Sequence, residues 1–140
     1  MFREKDLDRV LEIAVKYASF DSVTRESDLR KASSYPRGFW VAEDRERIVG
    51  FVYGHLVSLP EEVLDRWRAK KVANVELLAV VPEYRRRGIG RALLERLSDE
   101  FRRARVDMMT LSCPAEAVEA AKLYTNMGFE VRFQGMRKRF

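Results

Sequence analysis

The chain has 140 residues, 46% hydrophobic and 35% charged, a balance that fits one domain with a single core and excludes a mainly disordered chain. No apolar run approaches the ~18–20 residues of a membrane-spanning helix, the charged start Met1-Phe2-Arg3-Glu4-Lys5-Asp6 does not read as a signal peptide, and the lone cysteine, Cys113, excludes an intrachain disulfide and a cysteine-rich zinc site. The net charge of +5, from 27 Lys plus Arg (20 of them Arg) against 22 acids, suits an anionic partner but is too dispersed to single out nucleic acid. A single domain over residues 1–140, in a reducing cytoplasm, is the expectation.

Asp6 to Ala18 carries Leu7, Val10, Leu11, Ala14 and Ala18 at helical spacing. Thr24 to Ala32 reads as a short second helix with Thr24 as its N-cap and Glu26 and Asp28 in its first turn. Pro36 and Gly38 interrupt the chain. Phe39–Ala42 and Ile48–Val57 then read as strands joined by the polar connection Glu43–Arg47. Pro60-Glu61-Glu62 predicts a short helix within 58–71, with Leu59, Val63 and Trp67 on one face. Val72–Val80 is a strand ended by Pro82. Gly88 to Arg105 is a helix whose apolar face is Ile89, Leu93, Leu97 and Phe101. Val106–Cys113 is a strand, and Ala115–Met127 a helix opened by Pro114 and capped by Gly128. Phe129–Phe133 and Met136–Phe140 predict a terminal hairpin around Gln134-Gly135. Helices and strands alternating in the second half point to an α/β layer with at least one parallel strand pair.

The most informative stretch is Val75-Glu76-Leu77-Leu78-Ala79-Val80-Val81-Pro82-Glu83-Tyr84-Arg85-Arg86-Arg87-Gly88-Ile89-Gly90-Arg91. A strand runs into a basic turn that opens a helix. The first amides of a helix lack partners and carry partial positive charge. Gly88 and Gly90 let a phosphate approach the backbone, and Arg85, Arg86, Arg87 and Arg91 add full charges. This pattern suits a pyrophosphate. The Walker sequence is absent, and the dinucleotide fingerprint fails at Leu93. A solvated basic turn, or an arginine-rich nucleic-acid surface, remains the alternative on charge alone.

Arg85-x-x-Gly88-x-Gly90, preceded by Val80-x-Pro82-x-Tyr84 and followed by Ala92-Leu93-Leu94, resembles the acetyl-coenzyme A motif of the GNAT superfamily of N-acetyltransferases. Ala120-x-x-Leu123-Tyr124-x-x-x-Gly128-Phe129 is similar to a second motif of that family, and the hairpin of Phe39–Ala42 and Ile48–Phe51 agrees with its element order. The resemblance covers about Trp40 to Arg132. It implies a central mixed, mostly antiparallel sheet flanked by helices, with one parallel strand pair splayed between Val80 and Cys113 to hold coenzyme A. It further implies that the strand backbone of Leu78, Ala79 and Val80 binds the pantetheine arm, and that the amides of Arg86, Arg87, Gly88, Ile89, Gly90 and Arg91 bind the pyrophosphate. Ala117 stands where the family often has an asparagine that contacts the pantetheine arm, so that bond is missing or replaced. No metal is implied.

By the same resemblance, Tyr124 is the general acid that protonates the departing thiolate; its plain alternative is a helix tyrosine packed on Phe129. Glu76 is the general base, acting through a water, as in family members with Glu-x-x-x-Val; the position of another family glutamate is held by Ser112, which is no base unaided. A carboxylate inside an apolar strand is costly to bury without purpose, although a surface-facing glutamate is the alternative. The N–H of Ala79 or Val80 is the expected oxyanion donor. His55, the only histidine, lies on the strand that would run beside the acceptor. Cys113 reads as a small buried hydrophobe. Trp67 would cover the acceptor pocket or dock its own segment. The implied activity is acetyl transfer from acetyl-CoA to a primary amine by direct attack; a catalytically silent coenzyme A-binding module is the competing reading. The family acts on protein N-termini, lysines, polyamines, aminoglycosides and small metabolites, and no motif here selects among them. A homodimer through the C-terminal hairpin is a common family arrangement.

Overall fold

The computed structural model describes residues 1–18 and 24–140. Its elements are α1 (Leu7–Tyr17), α2 (Glu26–Ala32), β1 (Phe39–Asp44), β2 (Arg47–Val57), α3 (Glu61–Trp67), β3 (Val72–Val80), α4 (Ile89–Arg103), β4 (Met108–Leu111) and α5 (Val118–Asn126). The strands form one sheet in the order β1-β2-β3-β4. β1–β2 and β2–β3 are antiparallel and β3–β4 is parallel, with α4 supplying the crossover that a parallel pair requires. This is the mixed, mostly antiparallel α/β sheet that the sequence predicts. Among the described residues, no helix is long and apolar enough to cross a membrane.

Side chains alternate across a strand, so the sheet feeds two apolar clusters. On one face Phe39, Phe51, Tyr53 and Ala79 meet Leu7, Val10, Ile13 and Ala14 of α1 and Leu29 of α2. On the other, Val52, Ala73 and Val75 meet Leu93, Leu94, Leu97 and Phe101 of α4. The four-residue spacing read on α4 is therefore its buried stripe, with Ile89 partly buried at its start. Each such side chain, fully buried, stabilises by ~1.5–3 kcal/mol.

Several boundaries shift for local reasons. The cap of α2 is Arg25, not Thr24: the Asp28 carboxylate reaches back 2.8 Å to accept the Arg25 N–H, and Thr24 is buried instead. The β1–β2 connection is tighter than the sequence suggests. Arg45 and Glu46 both take positive φ (50° and 65°), as a two-residue hairpin turn of matching twist requires, so both strands extend further toward it. The segment 58–71 does contain a helix, α3, but none of its residues is buried.

The predicted terminal hairpin is absent. Residues 128–140 have no regular secondary structure, and Val131, Phe133, Met136 and Phe140 are exposed. A hairpin needs a face to bury, and these apolar side chains find none. Arg132 stacks instead on the rings of Trp67 (4.2 Å) and Phe133 (5.0 Å), drawing the segment toward α3.

Candidate functional site

The β3–β4 ladder runs from Val72↔Met108 to Val75↔Leu111 and stops there, while β3 continues to Val80 paired only with β2. The parallel pair is thus splayed, and residues 76–80 of β3 face a gap on the β4 side. Register decides which backbone groups point into it. The Val81 N–H donates to the Val49 carbonyl at 2.9 Å, so the facing pair Gly50↔Val80 is a non-hydrogen-bonded one. Val80, and by alternation Leu78, direct their N–H and C=O groups to the gap. Ala79 directs its own to Phe51, which removes its amide as an oxyanion donor.

The turn after β3 is a backbone cradle. Arg86 and Gly88 have left-handed φ of 61° and 78°. None of the amides of Arg86, Arg87, Gly88, Ile89, Gly90 and Arg91 donates to an acceptor among the described residues; the first amide of α4 with a partner is that of Ala92, bonded to the Gly88 carbonyl at 2.9 Å. Successive unpartnered amides around left-handed residues form an anion-binding concavity at a helix N-terminus. A Cβ built on Gly88 meets nothing within 4 Å, so the space beside the cradle is open. The residues present fit a pyrophosphate.

The arginine side chains contribute less than their number suggests. Arg85 turns back, its Nε donating to the Val80 carbonyl at 3.0 Å, and lies over the Tyr17 ring. Arg87 lies over Tyr84 at 4.9 Å, and Arg91 pairs with Glu95 at 3.0 Å. Arg85 therefore clamps the end of β3 against the turn.

Tyr124 lies on α5, packed edge-on against Phe129 at 5.8 Å, within the cluster that includes Leu78, Val80 and Leu111 beside the gap. Burial, followed by the nearby Cys113, pushes its phenol up to about 12, so it holds its proton at any ordinary pH. Burial also pushes the Cys113 thiol up, which disfavours a nucleophilic thiolate there. The Cys113 Sγ lies 3.8 Å from the carbonyl of Ala117, the residue before α5, whose own side chain offers no polar contact.

Glu76 is not buried, which overturns the desolvation argument made for it from sequence. It is the extra residue of a β-bulge: Tyr53 faces Leu77 and Gly54 faces Val75, leaving Glu76 unpaired between them. Its side chain is 42% exposed, and that of His55 48%. Glu76 Oε1 accepts from His55 Nε2 at 2.7 Å and from Asn74 Nδ2 at 2.9 Å. Thr110 Oγ1 donates to Asn74 Oδ1 at 2.8 Å. Asn74 and Thr110 were not singled out from sequence, and His55 was not connected to Glu76. The one available signal was polar residues interrupting otherwise apolar strands; their partnership depends on the register.

The family model described as "Acetyltransferase (GNAT) domain" matches residues 36–131. The [ribosomal protein bS18]-alanine N-acetyltransferase of Escherichia coli K12 is 44% identical over 72 residues, covering 51% of this chain and 45% of its own length. This chain therefore spans about half the length of that relative. An uncharacterized N-acetyltransferase of Methanocaldococcus jannaschii is 33% identical over 132 residues, covering 94% of this chain and 76% of its own. Among solved structures, Naa20 of Chaetomium thermophilum in complex with a bisubstrate analogue superposes with a TM-score of 0.77 at 29% identity, covering 93% of this chain and 69% of the other. The splayed strand pair, the amide cradle at Arg86–Arg91 and these matches agree: the chain belongs to the GNAT acetyltransferase family.

Proposed function

We propose that the chain transfers the acetyl group of acetyl-CoA to a primary amine by direct attack, and that the acceptor is the α-amine of a protein N-terminus. The observation that carries this reading is one continuous segment. From Glu76 to Arg91 the chain supplies in order a carboxylate, a strand edge with no partner strand on the gap side, and an anion cradle. Acetyl-CoA would supply an acyl thioester. The cradle amides of residues 86–91 hold the pyrophosphate, and the gap-facing groups of Leu78 and the N–H of Val80, whose carbonyl is taken by Arg85, align the pantetheine arm. Each neutral backbone bond contributes only ~0.5–1.5 kcal/mol net, so affinity comes from the set and from its charge assistance. The Val80 or Leu78 N–H stabilises the oxyanion, Glu76 takes the amine proton through a water, and Tyr124 gives a proton to the departing sulfur.

The acceptor follows from how much proton affinity the base must overcome. An α-amine, with a pKa of about 7.7–8.0, is partly neutral near pH 7, whereas a lysine amine at about 10.4 is almost wholly charged. A half-exposed carboxylate suits the first. The Escherichia coli relative, named for an alanine of a ribosomal protein, supports the same class. The test offers two peptides of one sequence: one with a free N-terminus and blocked lysine, the other with a blocked N-terminus and free lysine. Thiol release and a mass gain confined to the first are expected. Acetylation of the second alone would overturn the acceptor, and turnover of neither, over a panel of N-terminal residues and other amines, would leave a coenzyme A-binding module.

A further inference from the structure

The His55 ring sits between two oxygen atoms: Nδ1 is 3.0 Å from the Leu56 carbonyl oxygen, and Glu76 Oε1 accepts from Nε2 at 2.7 Å. The Asn74 amide also donates to Oε1, at 2.9 Å. Thr110 fixes the orientation of that amide by donating to its oxygen, leaving the nitrogen for Glu76.

This row gives the two carboxylate oxygens different tasks. Oε1 is held by two donors, while Oε2 has no hydrogen-bond partner among the described residues. A bulge residue has no ladder partner to fix its direction, so these side chains must do so. We infer that His55 is a positioning residue for acetyl transfer: with Asn74 it anchors Glu76 by Oε1 and leaves Oε2 turned to the acceptor amine. In the step it serves, the N–H bond of the amine breaks and its proton passes to Oε2, directly or through water, as the amine nitrogen bonds to the acetyl carbon. Burial first, and then the charges of Glu76 and of Asp28 on α2, keep the Tyr53 phenol protonated.

The inference rests on the proposed role of Glu76, and the experiment separates the two. Kinetics of the parent, His55→Leu, His55→Gln, Glu76→Gln and the double variant His55→Leu/Glu76→Gln would be compared on one acceptor peptide. His55→Leu should lower kcat about ten-fold, the scale of one charge-assisted hydrogen bond, with KM for acetyl-CoA unchanged. His55→Gln, which keeps an N–H donor, should recover most of that loss. The double variant should be no slower than Glu76→Gln alone. As His55 is the only histidine, NMR reads its ring directly: the ring resonances should move in Glu76→Gln, where the acceptor facing Nε2 changes. Full activity in Glu76→Gln would overturn the role of Glu76 itself. A slow Glu76→Gln beside a fully active His55→Leu, or additive losses in the double variant, would overturn only the inference about His55. A His55→Gln variant as slow as His55→Leu, with Glu76→Gln nearly unaffected, would make the ring itself the base.

Discussion

The turn at residues 85–91 is built from backbone, and the polar row on β2, β3 and β4 from side chains. In the turn, a short stretch of chain places amides around two left-handed residues, and the arginines mostly engage their own neighbours. In the row, His55 of β2, Asn74 and Glu76 of β3 and Thr110 of β4 meet because of a bulge and a pairing register. A backbone site is sensitive to glycine and indifferent to most side chains. A side-chain site is sensitive to each of its members and to anything that shifts the strands. Binding and chemistry should therefore fail separately.

Gly88→Trp should give the largest effect. At φ 78° a non-glycine residue is strained, and a bulky one would fill the open space beside the cradle. If about three amide contacts are lost, acetyl-CoA affinity should fall about 10²–10³-fold in calorimetry. Parent-like binding would show that the anion site lies elsewhere.

Glu76→Gln tests the other half. The expected loss is about 10²-fold in kcat at neutral pH, the low end for general base catalysis, with cofactor affinity retained. Because an α-amine with a pKa of about 7.7–8.0 becomes neutral without help, the loss should shrink toward pH 9–10. A defect of constant size across pH 6–10 would leave Glu76 as a structural or acceptor-binding carboxylate.

Gly54→Ala probes the register that joins the row. A Cβ at Gly54 would lie 2.5 Å from the Asn74 carbonyl oxygen and 3.2 Å from the Phe101 ring, so the bulge must move. A cost of about 1–3 kcal/mol in urea unfolding is expected. Turnover should suffer more than acetyl-CoA binding; equal damage to both would mean that the two regions are coupled.

The smallest effects concern the tyrosine between them. Tyr124→Phe should lower kcat about ten-fold or less, since a thiolate leaves readily, with cofactor affinity unchanged. Unchanged kcat, with chemistry rate-limiting, would return Tyr124 to packing on Phe129. In a spectrophotometric titration the Tyr53 and Tyr124 phenols, both pushed by burial up to about 12, should be missing from the step near pH 10. The folded state then keeps protons that the unfolded chain has released. Their contribution to stability is complete below about pH 10 and is lost as pH rises toward 12.

What could be read without coordinates was local. The cradle depends on Gly88, on proline and apolar boundaries, and on one strand–turn–helix passage, all of which lie within a few residues of one another. The helical stripe of α4 was legible for the same reason, since its period is written in consecutive turns. Tertiary structure decided the rest. Whether Glu76 was buried depended on a bulge between Tyr53 and Gly54, which no strand pattern announces because a bulge is a property of two strands together. Which of Leu78, Ala79 and Val80 faces the gap depended on hydrogen-bond parity with β2. His55 found its carboxylate across a sequence separation of 21 residues. The terminal hairpin, plausible from its alternating apolar residues, did not form because a strand pattern needs a face to bury and the fold provides none for Val131, Phe133, Met136 and Phe140. Short-range geometry is encoded in neighbouring residues, whereas contacts between strands are settled only when the whole sheet selects its register.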